Sequence, residues 1–336
     1  MKKRHITCIV SLLIIFCACS TSRHTAPDTA VAQVQKGKNV RPKTKDGWQK
    51  FAVTKGITYW SFSGYDPISQ DSQIVSVADI DLNKGFKLKI HYGKGEETSR
   101  TFLRNKAFVA MNGGYETSSI YIKENGNIRH EMANDQIFST GVPNWKNDGA
   151  ICIAGDGTVS ICNSMCSRQG QDGTSQYGAA LEEQRTFYKS TMRDMDNIIS
   201  SAPLLIYDYQ PVGLTFVPEM SKSQMESLRY EDPLRHQGVR HPRTAIALTG
   251  NNHLLMLVVD GRRPVCCGFT ARELTNFFIR HFNPRYALNL DGGGSSTLCV
   301  AGNGDAETHV VNHPSDNGKM DHAGERKVAT VFYVTE

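Results

Sequence analysis

The sequence predicts an α+β fold, with mixed or antiparallel β-sheets and a few packed helices in a single domain. Segments with strand character outnumber those with helix character, and the two kinds do not alternate along the chain as they would in a doubly wound sheet. The length, 336 residues of which 39% are hydrophobic, is ample for a real core and excludes a disordered or collagen-like chain.

The N-terminus reads as an address rather than as structure. Met1-Lys2-Lys3-Arg4 is a short positive start, and Ile6 to Ala18 is an apolar run of about a dozen residues. That is shorter than the roughly 20 residues of a membrane-spanning helix and fits an export signal over residues 1–18. Phe16-Cys17-Ala18-Cys19 resembles the lipobox of bacterial lipoproteins, with Cys19 as the lipidated residue, although Phe16 stands where Leu is usual. Residues 19–46 contain hardly a large apolar side chain and are expected to be a flexible tether. The folded domain then covers residues 47–336, held at a bacterial envelope by the lipid.

Within that domain Ile74 to Leu82 and Phe86 to Tyr92 alternate with period two, as half-buried strands do. Ile151 to Ala154 and Val159 to Cys162, joined by Gly155-Asp156-Gly157-Thr158, read as a hairpin. Ala245 to Leu248, Leu254 to Val259, Tyr286 to Leu290 and Val328 to Val334 read as buried strands. The clearest helix starts at Ala271. Thr270 and Glu273 form a capping box, Leu274, Phe277, Phe278 and Phe282 share one face, and Pro284 marks its end. Two more helical stretches are expected, from Glu182 to Ile199 and from Ser221 to Arg229. Asn163 to Asp196 is more polar, as an insertion would be.

The densest chemical signal is Asn289-Leu290-Asp291-Gly292-Gly293-Gly294-Ser295-Ser296. A strand ends in an acid, three glycines and two hydroxyls. The missing Cβ atoms let a ligand approach the backbone, whose N–H groups can form an anion-binding nest. A flexible turn is the plainer reading, but a turn seldom needs three glycines framed by Asp and Ser. Val259-Asp260-Gly261-Arg262-Arg263 repeats the theme of a strand end meeting an acid and cations, though Asp-Gly alone is common in hairpins. In Pro242-Arg243-Thr244 an arginine opens a buried strand, placed either to grip a phosphate or to make a salt bridge. Met111-Asn112-Gly113-Gly114-Tyr115 is a further strand end meeting glycines. There is no Walker loop, no His-Glu-x-x-His and no Cys-x-x-Cys, and Gly293-Gly294-Ser295-Ser296-Thr297 fails the hydrolase elbow.

Taken together these clusters resemble the phosphodiester glycosidase family. The resembling pieces are Asn112 to Tyr115, Ala202-Pro203-Leu204-Leu205, Pro242 to Ala245, Asp260 to Arg262, Asn289 to Ser296, His313-Pro314-Ser315-Asp316 and Glu325 to Thr330, spread over about residues 70 to 336. The chain departs at Glu116, where the family usually has an aromatic. The resemblance implies hydrolysis of a sugar joined through its anomeric oxygen to a phosphodiester. Asp291 is then the main catalytic carboxylate and Asp260 a second. Arg243 and Arg262 bind phosphate, and Asn112, Gly113, Gly114, Asn289, Gly292, Gly293, Gly294, Ser295 and Ser296 shape the nest and orient the sugar. Asp316 is a weaker third acid.

No cofactor is firmly implied. Asp291, Asp260 and Asp316 do offer the oxygen ligands that Ca²⁺ or Mg²⁺ prefers, but no loop has a recognised calcium spacing. The competing readings are a non-catalytic glycan- or phosphoglycan-binding surface lipoprotein, and a serine esterase using Ser295 or Ser296 with His313. The partners expected are a carbohydrate phosphodiester and, through the lipid, a membrane. Nucleic acid is not expected. The formal charge of +5 falls to about +2 once Lys2, Lys3 and Arg4 leave with the signal. The nine cysteines fall to six in the domain once Cys8, Cys17 and Cys19 are set aside.

Overall fold

The computed structural model describes residues 36–132, 145–164, 182–212 and 220–336. The export signal, Cys19, the tether as far as residue 35 and Cys166 lie outside the described residues. So does much of the polar stretch expected as an insertion. Among the described residues seventeen strands form three sheets, and the strand pairings within them are antiparallel. The fold is α+β, as expected.

The largest sheet has eight strands. Its centre is β3 (Asp71–Asp81), β14 (His253–Val259), β13 (Arg243–Leu248) and β15 (Tyr286–Asn289). The flanks are β1 (Trp48–Thr54) and β2 (Ile57–Asp66) on one side, and β11 (Leu204–Tyr207) and β12 (Gln210–Pro211) on the other. The four-stranded sheet runs β16 (Leu298–Val300), β5 (Val109–Asn112), β17 (Val328–Thr335), β4 (Lys87–Glu96). β17 is thus inserted between two strands from early in the domain. A five-stranded sheet contains β8 (Gly149–Ala154), β9 (Val159–Asn163) and β10 (Met195–Ser201).

The core explains the sequence patterns. Ala78 and Ile80 of β3, Ile246 of β13, Met256 and Val258 of β14 and Leu288 of β15 face one cluster. Val109, Met111, Phe332 and Val334 of the four-stranded sheet and Ile151 and Ile199 of the five-stranded sheet join it. Alternate residues of β14 (Leu255, Leu257 and Val259) are fully buried on the opposite face, which is why this strand is apolar throughout.

The helix Ala271–His281 carries the expected capping box, with Thr270 and Glu273 each bonding the other's backbone N–H. Its Phe277 packs against Trp48, Phe62 and Phe269. Each such buried side chain contributes about 1.5–3 kcal/mol.

Two expectations are corrected. The stretch from Glu182 to Ile199 is helical only through Thr191 and then becomes β10, because Ile198 and Ile199 pair across to β8. The segment 38–46, expected as tether, is mostly exposed but is attached to the domain at two points. Asn283 Nδ2 donates to Lys38 O at 2.8 Å, and Arg41 pairs with the buried Asp79. The five described cysteines are free thiols, and the Sγ atoms of Cys152 and Cys162 lie 3.7 Å apart across β8 and β9.

Candidate active site

Two glycine-bearing strand ends meet at the site. β5 ends at Asn112 and β15 at Asn289, and the turns after them are stitched together. Asp291 N donates to Gly113 O at 3.2 Å, and Asn112 Nδ2 donates to Asp291 O at 2.7 Å. The start of β13 backs the second turn: Gly293 N donates to Pro242 O at 2.9 Å and Leu290 N to Thr244 O at 2.8 Å. Thr244 Oγ1 sits 3.0 Å from Asn112 Oδ1 and 3.1 Å from Ser296 Oγ. Asn289 Nδ2 lies 3.1 Å from the Tyr115 hydroxyl, which donates to Ala202 O at 2.9 Å. Apart from Asn289 Oδ1, which has no hydrogen-bond partner, these buried polar groups satisfy one another and so fix the turn.

A cavity of 520 Å³ opens above the turns, enough for a hexose and a phosphate. Asp291, Gly292, Gly293, Gly294, Ser295, Gly114 and Arg262 line it. Burial raises the Asp291 carboxyl to about 6, opposed by a hydrogen bond from Ser295 and by the charge of Lys146, and reinforced by Glu116. Gly294 has no room for a side chain, since a Cβ would overlap Asp316 Oδ1 and Arg326 Nη2. We expect Gly294→Ala to displace the Asp316–Arg326 pair and cost about 1–3 kcal/mol, read as a lowered urea midpoint.

Arg262 is the pocket cation whose guanidinium has no hydrogen-bond or ion-pair partner among the described residues. Its backbone is held at φ 60°, and its guanidinium lies against Gly293. A non-glycine residue in this region carries strain and needs a reason. The other pocket cations are engaged. Arg326 forms a two-pronged pair with Asp316 at 2.8 and 2.9 Å. Arg240 bonds Glu273, Arg235 caps the carbonyls of Glu226 and Leu228, and Lys327 stands 4.0 Å from Glu97.

The remaining sequence candidates stand outside the lining. Asn112, Gly113, Asn289 and Ser296 form the layer behind the turn. Asp316 does not line the pocket but abuts it, against Gly294 and paired with Arg326.

Asp260 is buried and accepts from His313 Nδ1 at 2.7 Å, His313 N at 3.0 Å and Asn312 Nδ2 at 3.2 Å. Asn312 in turn donates to Ser296 O at 3.0 Å, so Asp260 braces the turn from behind. The same hydrogen bond from His313 raises that imidazole above its ordinary value.

Arg243 is fully buried away from the cavity. Its Nε donates to Phe269 O at 2.8 Å, and its Nη2 donates to His236 O at 2.8 Å and Val239 O at 3.1 Å. It ties down the end of the helix Pro233–Gly238, whose His236, with the following Val239, walls the pocket.

The structure adds residues that carry no motif. Lys146, 4% exposed, sits 2.7 Å from Glu116 and 2.9 Å from Glu231, with its ammonium 4.6 Å above the Tyr115 ring. Tyr230 stands exposed on the rim, and His236 is kept neutral chiefly by burial.

The three acids once grouped as metal ligands do not gather. Asp260 serves His313 and Asn312, while Asp316 serves Arg326. Among the described residues no cluster of three or more His, Cys, Asp or Glu is placed to hold a metal. The esterase arrangement is not formed either. Ser295 bonds Asp291 and Ser296 meets Thr244, and among the described residues neither serine is hydrogen-bonded to His313, whose Nδ1 bonds Asp260.

The model of a family described as phosphodiester glycosidase matches residues 105–335. No curated protein sequence matches the chain. Among solved structures, the chain is similar to the zebrafish N-acetylglucosamine-1-phosphodiester alpha-N-acetylglucosaminidase catalytic domain auto-inhibited by its pro-peptide. That likeness has a TM-score of 0.54 and 17% identity, covering 91% of this chain and 89% of that one. A hypothetical protein from Synechocystis gives a TM-score of 0.51 at 14% identity, over 86% of this chain and 64% of that one. A candidate exported protein from Burkholderia pseudomallei K96243 gives 0.50 at 14%, over 80% and 74%. At these identities the likeness concerns the fold.

Proposed function

The chain belongs to the phosphodiester glycosidase family, and from that premise we propose that it hydrolyses a sugar-1-phosphodiester at the anomeric carbon. The observation that carries this reading is the pairing of a half-buried, pKa-raised Asp291 with the unpartnered guanidinium of Arg262 across one glycine turn.

The phosphodiester anion lies against Arg262 and the backbone of Gly292–Gly294, where a guanidinium and close amides favour negative charge. The sugar then lies towards Lys146 and Glu116. The bond between the anomeric carbon and the phosphate oxygen breaks, and its electron pair leaves on the phosphate, already held by Arg262. Asp291, as carboxylate, stabilises the oxocarbenium-like state or takes the proton of the water that adds to that carbon. Phosphate is a good leaving group, so the reaction does not require a strong acid on that side. Asp260, Arg243 and Asn112 act by holding the turn.

Arg262→Ala should lower kcat/KM by about 10- to 100-fold, the loss of one charged hydrogen-bonding group, with the melting midpoint unchanged. Steady-state kinetics within twofold of wild type would remove Arg262 from this role.

The decisive experiment is a screen of sugar-1-phosphodiesters for free sugar release, with and without chelator. Binding without turnover across the panel would assign the chain instead as a phosphoglycan-binding lipoprotein. We further propose export and lipid anchoring at Cys19, supported by the N-terminal pattern and by the fold shared with a candidate exported protein. Among the described residues no helix is long and apolar enough to cross a membrane. Metabolic labelling with a fatty acid, lost in Cys19→Ser, tests the anchor.

A further inference from the structure

A second guanidinium stands at the glycine turn beside that of Arg262. We propose that Arg326 is a further phosphate-binding residue, which closes with Arg262 a two-arginine clamp on the phosphoryl group, and that Asp316 is its positioning residue. The inference rests on the reaction proposed above and adds the groups that hold its leaving phosphate.

The first observation is placement. Arg262 and Arg326 both line the cavity, and they lie against consecutive glycines of one turn. A Cβ on Gly293 would stand 3.0 Å from Arg262 Nη2, and a Cβ on Gly294 would overlap Arg326 Nη2. Two cations thus border the backbone that an anion approaches.

The second is how Arg326 is held. Its Nε and Nη2 donate to the two carboxylate oxygens of Asp316 at 2.8 and 2.9 Å. This docked edge uses two of the five N–H donors that a guanidinium carries. Nη1 has no hydrogen bond among the described residues, and the side chain is half exposed. The open end of the fork is formed by Nη1 and the second N–H of Nη2. Nη2 is the nitrogen against Gly294, so this open end lies at the glycine turn. A phosphate oxygen pair fits such an end as a carboxylate fits the docked edge.

The third is the frame. Arg263, the neighbour of Arg262 in the chain, donates from Nη2 to Ser315 O at 3.2 Å and to Lys319 O at 2.9 Å. It ties the loop that carries Asp316 to the turn that carries Arg262. The two arms of the clamp are therefore set before a ligand arrives, and little ordering is left to binding.

The clamp suits the charge that develops in the reaction. The bond from the anomeric carbon to the phosphate oxygen breaks with its electron pair on that oxygen. Water bonds to the carbon and its proton passes to Asp291. The phosphoryl group turns from a singly charged diester into a doubly charged monoester. Donors fixed on it gain strength as the bond breaks, so Arg326 should act more on kcat than on KM.

The test titrates the full chain calorimetrically with methyl phosphate and dimethyl phosphate at pH about 8, where the monoester is doubly charged. We expect methyl phosphate to bind about tenfold or more tightly than dimethyl phosphate. Arg326→Met should weaken methyl phosphate about tenfold or more and remove the preference, with the melting midpoint unchanged. Arg326→Lys keeps the charge but loses the fork, and should fall between Met and wild type. Asp316→Asn leaves the cation but frees it, and should cost less than Arg326→Met. On a sugar-1-phosphodiester that wild type cleaves, Arg326→Met should lower kcat about 10- to 100-fold and change KM less. Methyl phosphate affinity within twofold of wild type in Arg326→Met would overturn the proposal. So would a wild type that binds neither anion or prefers neither. Equal losses in Arg326→Met and Asp316→Asn with lowered melting midpoints would reduce the pair to a structural brace and overturn it too. Methyl phosphate binding that Arg326→Met removes, with no sugar released from any phosphodiester, would keep the clamp and overturn the reaction instead.

Discussion

Asp291→Asn should abolish turnover, by about 10³-fold or more, and at the same time make the protein more stable above pH 6. Burial holds the Asp291 carboxyl at about 6 in the folded chain, against an ordinary value of 3.8. The folded state therefore binds this proton more tightly than the unfolded state does. The resulting contribution to stability is complete below the unfolded value and is lost as pH rises through 6. A shift of this size corresponds to ~3 kcal/mol, an order of magnitude for a half-buried group. Asparagine imitates the protonated carboxyl and never ionises. The mutant should therefore match wild type near pH 4 and exceed it at pH 7.5, with the difference opening between those values. In wild type, kcat/KM should fall as pH drops through about 6, because the carboxylate is the working form. Melting curves at the two pH values and a pH–rate profile check both halves. A mutant that keeps its rate, or loses stability at pH 7.5, would sink the assignment.

Arg243→Ala should have the largest effect on stability, about 3–5 kcal/mol. The substitution strips the donors from the carbonyls of Phe269, His236 and Val239 and leaves a guanidinium-sized hole. Arg243→Lys should not rescue it, since one ammonium cannot reach a fork of carbonyls on two sides. A phosphate ligand would behave differently, raising KM while leaving the urea midpoint alone. An unchanged midpoint in Arg243→Ala would therefore return this residue to the substrate.

Much of this was legible before any coordinates, for definite reasons. The helix Ala271–His281 announces itself because its cap and its apolar face are both local in sequence. β14 reads as a buried strand because both its faces are covered. The Met195–Ser201 strand does not, because Asp196 and Asn197 interrupt it and its partner β8 is distant in sequence.

At the site, Asp291 and the glycine turn are legible because the chemistry is contiguous. Lys146 is not, since its role exists only where Tyr115, Glu116 and Glu231 surround it. Arg243 shows the limit most clearly. An arginine that opens a buried strand looks the same in sequence whether it faces a ligand or a ring of carbonyls.

The placement of β17 between β5 and β4 also sets the order of assembly. A ribosome makes β17 long after its two neighbours. Until then the unpaired edges of β4 and β5 cannot close on each other as they do in the finished sheet. The turn at Gly113, which begins where β5 ends, lacks its backing from Thr330 O until β17 arrives. Pairing of this range is slow to nucleate and leaves sheet edges open to other chains. The four-stranded sheet, and with it the backing of the Gly113 turn, can therefore be completed only after the last strand of the chain has been made.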